Sequence, residues 1–211
     1  MIDALHDAPD FAIEPAAHLL AALAPQFAKN AVFIAVVDPG VGGERDAIVI
    51  KAGGQIFVGP DNGLLAIVWQ RARRRQCWRI RWRPARITSS FHGRDLFAPV
   101  AAALSTQQTP RDWLVVKPAP DVLLQAGDLA RVIYVDHYGN ALTGLREFKK
   151  DWTLCAGARG MRYARTFDDA KRPFWYQNSM GLVEIAVPHG AAAKLLKLKV
   201  GAPVAWQRST R

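Results

Sequence analysis

The tripeptide Asp38-Pro39-Gly40, placed directly after the apolar run Val32 to Val37, constrains this chain more than any other feature. A run that apolar and β-branched reads as a strand buried on both faces, the kind found in a parallel sheet. Pro39 stops further pairing, and Gly40, Gly42 and Gly43 let the backbone reverse. A carboxylate is therefore left at the carboxyl edge of a sheet, where ligand sites of α/β folds form. Arg45 follows seven residues later, and a tight turn would bring its guanidinium back onto Asp38. The run Ala47 to Ile50 and the segment Phe57-Val58-Gly59-Pro60-Asp61-Asn62-Gly63 complete three short strands and two glycine-rich turns. The plainer reading makes Asp38 a turn cap and Arg45 a surface charge. Neither a G-x-x-x-x-G-K-[ST] loop nor a G-x-G-x-x-G turn opening a helix is present.

With 211 residues, half of them hydrophobic, the chain can build one large domain or two small ones. Cys77 and Cys155 lie in no C-x-x-C and no Cys/His cluster, so neither a disulfide framework nor a zinc site is expected. The first residues lack a basic signal-peptide region and no apolar run reaches membrane-span length, so the expected setting is soluble and cytoplasmic. The net charge of +10 is local. Arg71, Arg73, Arg74, Arg75, Arg79, Arg81, Arg83 and Arg86 fall in one segment, where Trp78, Ile80 and Trp82 alternate with arginines as in a strand with one apolar and one basic face. A solvated strand edge protected by arginines accounts for this pattern, and is favoured over a nucleic-acid surface.

Taken in order, the chain offers a helix over Pro15 to Phe27 with Ala16, Leu19, Leu20, Leu23 and Ala24 on one face. The buried strand follows, then a helix over Leu64 to Arg75 with cations near its end, then the tryptophan-arginine strand. His92 stands beside Gly93 just before another helix and is well placed to reach a cleft at the sheet edge. Thr106 to Gly127 has no long periodicity and reads as a linker. Beyond it, Val132 to Val135 runs into Asp136-His137-Tyr138-Gly139-Asn140, and short strand-like runs follow, including Leu182 to Val187 after Asn178-Ser179-Met180-Gly181. This half reads as a small β domain of barrel type. The expected architecture is α/β: an N-terminal α/β sandwich domain over 1–118 with a mainly parallel sheet, and a C-terminal β-barrel domain over 119–211.

Five ordered pieces resemble one family. They are Val36-Val37-Asp38-Pro39-Gly40-Val41-Gly42 with Arg45, Val58-Gly59-Pro60-Asp61-Asn62-Gly63, Phe91-His92-Gly93-Arg94-Asp95-Leu96-Phe97-Ala98-Pro99, Asp136-His137-Tyr138-Gly139-Asn140, and Asn178-Ser179-Met180-Gly181-Leu182-Val183-Glu184-Ile185-Ala186. The set is similar to the adenosine-forming S-adenosylmethionine hydrolases, also called S-adenosylmethionine hydroxide adenosyltransferases, relatives of the fluorinase and chlorinase enzymes. The resemblance implies metal-independent hydrolysis of S-adenosyl-L-methionine without a cofactor, and a homotrimer whose sites lie between neighbouring subunits. It implies a water-activating triad of Asp38, Arg45 and His92, with Asp136, Asn140, Asn178 and Ser179 holding the substrate. Family members open with a further strand and helix carrying a Thr-Asp-Phe-Gly-like ribose-binding motif, and the match here begins after that unit. They also carry Asn where Gly144 stands. The competing readings are a member that binds the nucleoside without turning it over, and a basic nucleic-acid-binding protein.

Overall fold

The structure is a computed structural model that describes residues 1–208. These pack as two compact units, one of Leu23–Ala126, the other of Met1–Ala22 together with the chain from Gly127 onward. The grouping differs from a division at 118/119 because helix α1 (Ile13–Leu23) packs Leu19 and Ala22 against Ile133, Leu142 and Leu182. The helix ends where Pro25 withdraws a backbone donor, in a single 3₁₀ turn over Ala24–Gln26.

The first unit is built on a five-stranded sheet of β1 (Val32–Ile34), β2 (Ala47–Ala52), β3 (Gln55–Pro60), β4 (Arg75–Ile80) and β5 (Leu114–Lys117), in the order β1-β3-β2-β4-β5. Only β1 and β3 run parallel, and the other three pairings are antiparallel. This corrects the expectation of a mainly parallel sheet. Gly53-Gly54 joins β2 to β3 as a two-residue hairpin, and so short a connection permits antiparallel pairing alone.

Strand β1 is not buried on both faces either. It lies at the sheet edge with β3 as its neighbour, leaving Ile34 46% and Val36 43% exposed. Conversely β4, expected at an edge, is paired on both sides by β2 and β5. Its second partner comes from Thr106 to Gly127, where the apolar run Trp113-Leu114-Val115-Val116 adds a strand to the sheet inside a segment that composition marks as linker. Helix α2 (Ala66–Arg71) stops earlier than its pattern suggests because Arg75 already pairs with Ala52. One π-helical turn, Gly93–Phe97, leads into α3 (Ala98–Ser105), and together they bury Leu96, Phe97, Val100 and Ala101 against Ala47, Val49, Val58 and Ile80. Full burial of a side chain such as Phe97 contributes about 1.5–3 kcal/mol.

The second unit holds β6 (Leu129–Val135), β7 (Ala141–Gly144), β8 (Trp152–Ala156), β9 (Arg159–Tyr163), β10 (Phe174–Gln177), β11 (Val183–Ala186) and β12 (Ala205–Arg208), with the short helix α4 (Ala192–Leu196) before β12. Their order is β12-β8-β9-β10-β11-β7-β6, antiparallel except for β9 with β10. The sheet curls until its two ends meet: Val132 N–H donates to Ala202 O and Val204 N–H to Ala130 O, tying β6 to the approach to β12. Trp175, Leu154, Met161, Val183 and Ile185 fill the interior. Closure of this kind removes exposed sheet edges, and it bears out the barrel-like expectation for this half.

Candidate functional site

Within the first unit, Asp38, Arg45 and His92 meet. Arg45 Nε donates to Asp38 Oδ1 and Oδ2 at 3.2 and 3.1 Å, and Arg45 Nη2 also donates to Asp38 Oδ2. From the other side Arg45 Nη2 stands 3.1 Å from His92 Nδ1. The side chains of Asp38 and Arg45 are 3% and 12% exposed, so their ion pair is shielded from water and more rigid than a surface pair. The guanidinium also lies 5.4 Å from the centre of the Phe97 ring, where the ring face attracts a cation.

The loop chemistry read from the sequence explains this meeting. Gly42 adopts φ +81°, which a side chain disfavours, and a Cβ there would stand 2.6 Å from the Ser89 carbonyl oxygen. The loop from Asp38 to Arg45 therefore approaches the segment that carries His92 more closely than any larger residue permits. That segment is fixed in turn by Asp95, whose carboxylate accepts the Thr88 N–H at 2.9 Å and pairs with Arg94. These contacts hold the Asp95 carboxyl well below the usual carboxylate range. His92 sits at the first residue before the π-helical turn, a distortion that frequently marks functional positions in helices.

A guanidinium has donors only, so His92 must accept through Nδ1 and carry its proton on Nε2. Burial lowers the imidazole pKa below its ordinary value, and the neighbouring Arg45 charge lowers it further. His92 is therefore neutral at pH 7.

The second unit carries a cleft of about 1100 Å³. Asp136, Asn140, Asn178 and Ser179, the four expected substrate contacts, all line it. Asp136 caps its own turn, with Oδ1 accepting the Asn140 N–H at 2.8 Å and Oδ2 accepting from Asn140 Nδ2 at 3.0 Å. Asn178 Oδ1 accepts the N–H groups of Met180 and Leu182, both at 3.0 Å, so this side chain shapes the turn that presents Ser179.

Two residues lining the same cleft were missed from the sequence. Glu184 is buried on β11 and accepts from Tyr176 Oη at 2.5 Å and from Asn178 Nδ2 at 2.8 Å. Burial raises its pKa, and burial together with Glu184 raises that of Tyr176. The available signal was a lone acid inside the apolar run Leu182-Val183-Glu184-Ile185-Ala186, a position tolerated only with partners. The departure at Gly144 also has a physical reason: a Cβ there would stand 2.6 Å from both Cβ and O of Leu129, so β6 leaves no room for a side chain.

The family model for the SAM hydroxide adenosyltransferase N-terminal domain matches residues 1–113, and that for its C-terminal domain matches 130–205. The chain is 34% identical to an (R)-S-adenosyl-L-methionine hydrolase of Thermus thermophilus, over 97% of this chain and 86% of that protein. It is 38% identical to one of Salinispora arenicola, over 95% and 84%. A solved structure of an uncharacterized conserved protein from Thermotoga maritima superimposes with a TM-score of 0.87 at 30% identity, covering 98% of this chain and 88% of that one. By its ordered motifs, its fold and these matches, the chain belongs to the SAM hydroxide adenosyltransferase family.

Proposed function

We propose that the protein hydrolyses S-adenosyl-L-methionine to adenosine and L-methionine by in-line attack of water on ribose C5′. The observation that carries this reading is the shielded Asp38–Arg45–His92 arrangement with a neutral imidazole. The sulfonium substrate brings its own leaving group: as the C5′–S bond breaks, its electron pair stays on sulfur and methionine departs as a neutral thioether. What the reaction lacks in water is a positioned nucleophile, because bulk water has a pKa of about 15.7.

His92 is the proton acceptor in this scheme. Arg45 keeps its contacts with Asp38 and gives up its single contact with His92. The freed Nδ1 then takes the water proton while the C5′–O bond forms. The Asp38 carboxylate stabilises the positive charge of the transition state.

Asp136, Asn140 and Ser179 hold the amino-acid and adenine ends of the substrate, with Asn178 shaping their turn. No cofactor enters this reaction, and the metal-independent chemistry follows from the leaving group. The functional domains are 1–118, carrying the triad, and 119–211, carrying the cleft. The assembly is a homotrimer in which the triad of one copy faces the cleft of the next. Exposed Ile34, Val36 and Phe91 around the triad, and Tyr138 at the cleft, supply apolar surface for that contact. No helix among the described residues is long and apolar enough to cross a membrane, and the reading places the enzyme in the cytoplasm.

The test is product analysis by mass spectrometry after incubation with S-adenosyl-L-methionine in water enriched in oxygen-18. Label in the 5′ hydroxyl of adenosine, with methionine released alongside, is the expected result. Unchanged substrate that nonetheless raises the melting temperature would replace hydrolysis with binding alone.

A further inference from the structure

The loop from Asp38 to Arg45 is fastened at both ends to the same dipeptide, Asp61-Asn62 at the end of β3. At its start, Asn62 Nδ2 donates to the carbonyl of Val37, the residue before Asp38, at 2.9 Å. Asn62 Oδ1 accepts the Leu64 N–H at 3.1 Å, so the side-chain amide is held from both sides. At the loop's end, the Asp61 N–H donates to the carbonyl of Asp46, the residue after Arg45, at 2.9 Å.

The Asp46 and Asp61 side chains meet a common cation. Lys117 Nζ lies 3.0 Å from Asp46 Oδ2, 3.5 Å from Asp61 Oδ2 and 2.7 Å from Asp121 Oδ2. The Asp61 side chain is 1% exposed and also accepts the Asp121 N–H at 3.1 and 3.0 Å. The three carboxylates present oxygens within 4.8 Å of one another. Like charges this close repel unless a cation neutralises them, most of all around the buried Asp61, and Lys117 occupies that place.

We infer that Lys117, together with the Asp61-Asn62 pair, is a positioning device for the hydrolytic reaction: together they clamp both ends of the Asp38–Arg45 loop and so hold the Arg45–Asp38 pair in place beside His92. The inference rests on the hydrolytic reading of the triad for its kinetic consequence, and on geometry alone for its structural one. Lys117 touches none of the three triad residues; it holds Asp46 at one end of their loop directly, and Asn62, next in sequence to its partner Asp61, holds the Val37 carbonyl at the other. Such an arrangement acts on the reaction through geometry, where a misplacement of about 1 Å costs about a hundredfold in rate.

The test compares the parent with Lys117→Met, which removes the charge at similar length, and with Asn62→Ala, which removes the bond to the Val37 carbonyl and leaves the buried charges in place. Lys51→Met, on an exposed position of β2, is the control. Two readouts are taken on folded protein. The first is steady-state turnover of S-adenosyl-L-methionine: kcat falls by about tenfold or more in both variants while KM stays within about twofold. The second is the His92 titration by nuclear magnetic resonance, which needs no substrate. His92 is faced by Arg45, Asp38, Arg83 and Asp95. Loosening the loop moves Arg45 off it, so its pKa rises toward 6.5 in both variants and not in the control.

Variants that fold and keep both the parent kcat and the parent His92 titration overturn the inference, even with a lowered melting temperature, because that pattern is stability alone. Should Lys117→Met fail to fold, Asn62→Ala decides. If the parent itself releases no adenosine, the hydrolytic reading fails, and the His92 titration still decides whether the clamp sets the triad.

Discussion

Arg45 Nη2 reaches both the Asp38 carboxylate and, at 3.1 Å, the Nδ1 of His92, so one guanidinium fixes the position of the carboxylate and the tautomer of the imidazole. Because arginine cannot accept a hydrogen bond, protonating His92 at Nδ1 breaks this contact and sets two cations against each other. The structure thus ties the charge state of His92 to the geometry of the triad.

The pH dependence follows. His92 titrates below its ordinary value and must be neutral to accept the proton, so kcat/KM falls on the acid side with an apparent pKa below that of an ordinary imidazole. The stability consequence has the same sign. Well above the unfolded-chain value of about 6.5 the imidazole is neutral in both folded and unfolded chains and contributes no pH dependence. As pH falls from there to the lower folded value, the unfolded chain binds the proton first and stability is lost. Turnover and denaturant unfolding measured from pH 5 to 8 check both statements.

Replacing Asp38 by Asn keeps the side-chain volume but leaves the Arg45 charge without its carboxylate. Loss of one fixed electrostatic partner at a reacting centre costs about 10²–10³ in kcat. The expected result is a fall of that order with a KM within about threefold of the parent, since the cleft residues are untouched. Single-turnover kinetics on folded Asp38→Asn protein measure it, and turnover at the parent rate would remove Asp38 from the mechanism.

Glu184 accepts two hydrogen bonds in a buried place, and its replacements differ in what they leave behind. Glu184→Ala strands Tyr176 Oη and Asn178 Nδ2 and destabilises the fold by about 1–3 kcal/mol. Glu184→Gln accepts from Asn178 and donates to the tyrosine oxygen, and so costs less. The raised pKa of Glu184 means that its ionisation opposes folding as pH rises through the folded value. The Gln variant therefore has a flatter stability profile from pH 4 upward. Urea unfolding of both variants across that range is the measurement.

The proposed pairing of one copy's triad with the next copy's cleft makes a prediction about mixtures. Asp136→Asn weakens substrate binding and raises KM by about tenfold or more, the cost of a lost hydrogen bond to a charged group. His92→Ala lowers kcat by about 10²–10⁴. When the two variants are co-expressed, some interfaces pair an intact triad with an intact cleft, and activity exceeds that of either variant alone. A mixture no more active than its parts places triad and cleft action within one copy.

Much of the chemistry was legible in the residues themselves. An acid directly after an apolar strand, a proline and glycines to turn the chain, and an arginine at the next strand led to the Asp38–Arg45 pair, because a tight turn has few ways to close. Asp136 and Asn140 lie four residues apart in one turn and were read from the same local geometry. Long-range pairing was not legible in this way. Whether β1 has one neighbour or two, and whether Leu114–Lys117 joins a sheet or spans a linker, depends on which distant segments compete for the same backbone hydrogen bonds. Helix α1 groups with the second unit for a different reason, the side-chain packing of Leu19 and Ala22 on Ile133, Leu142 and Leu182.

The sequence by itself determined the local turns, the approach of Arg45 to Asp38 and the alternation that builds a curled β domain, since these rest on φ preferences and on periodicities spanning a few residues. Tertiary structure alone decided that Lys117 neutralises Asp46 and Asp61, that Glu184 anchors Tyr176 and Asn178, and that His92 accepts from Arg45. Those contacts join residues up to 71 positions apart. Their energy comes from removing charges and dipoles from water beside chosen partners, a quantity set by which segments pack together and not by the order in which they are written.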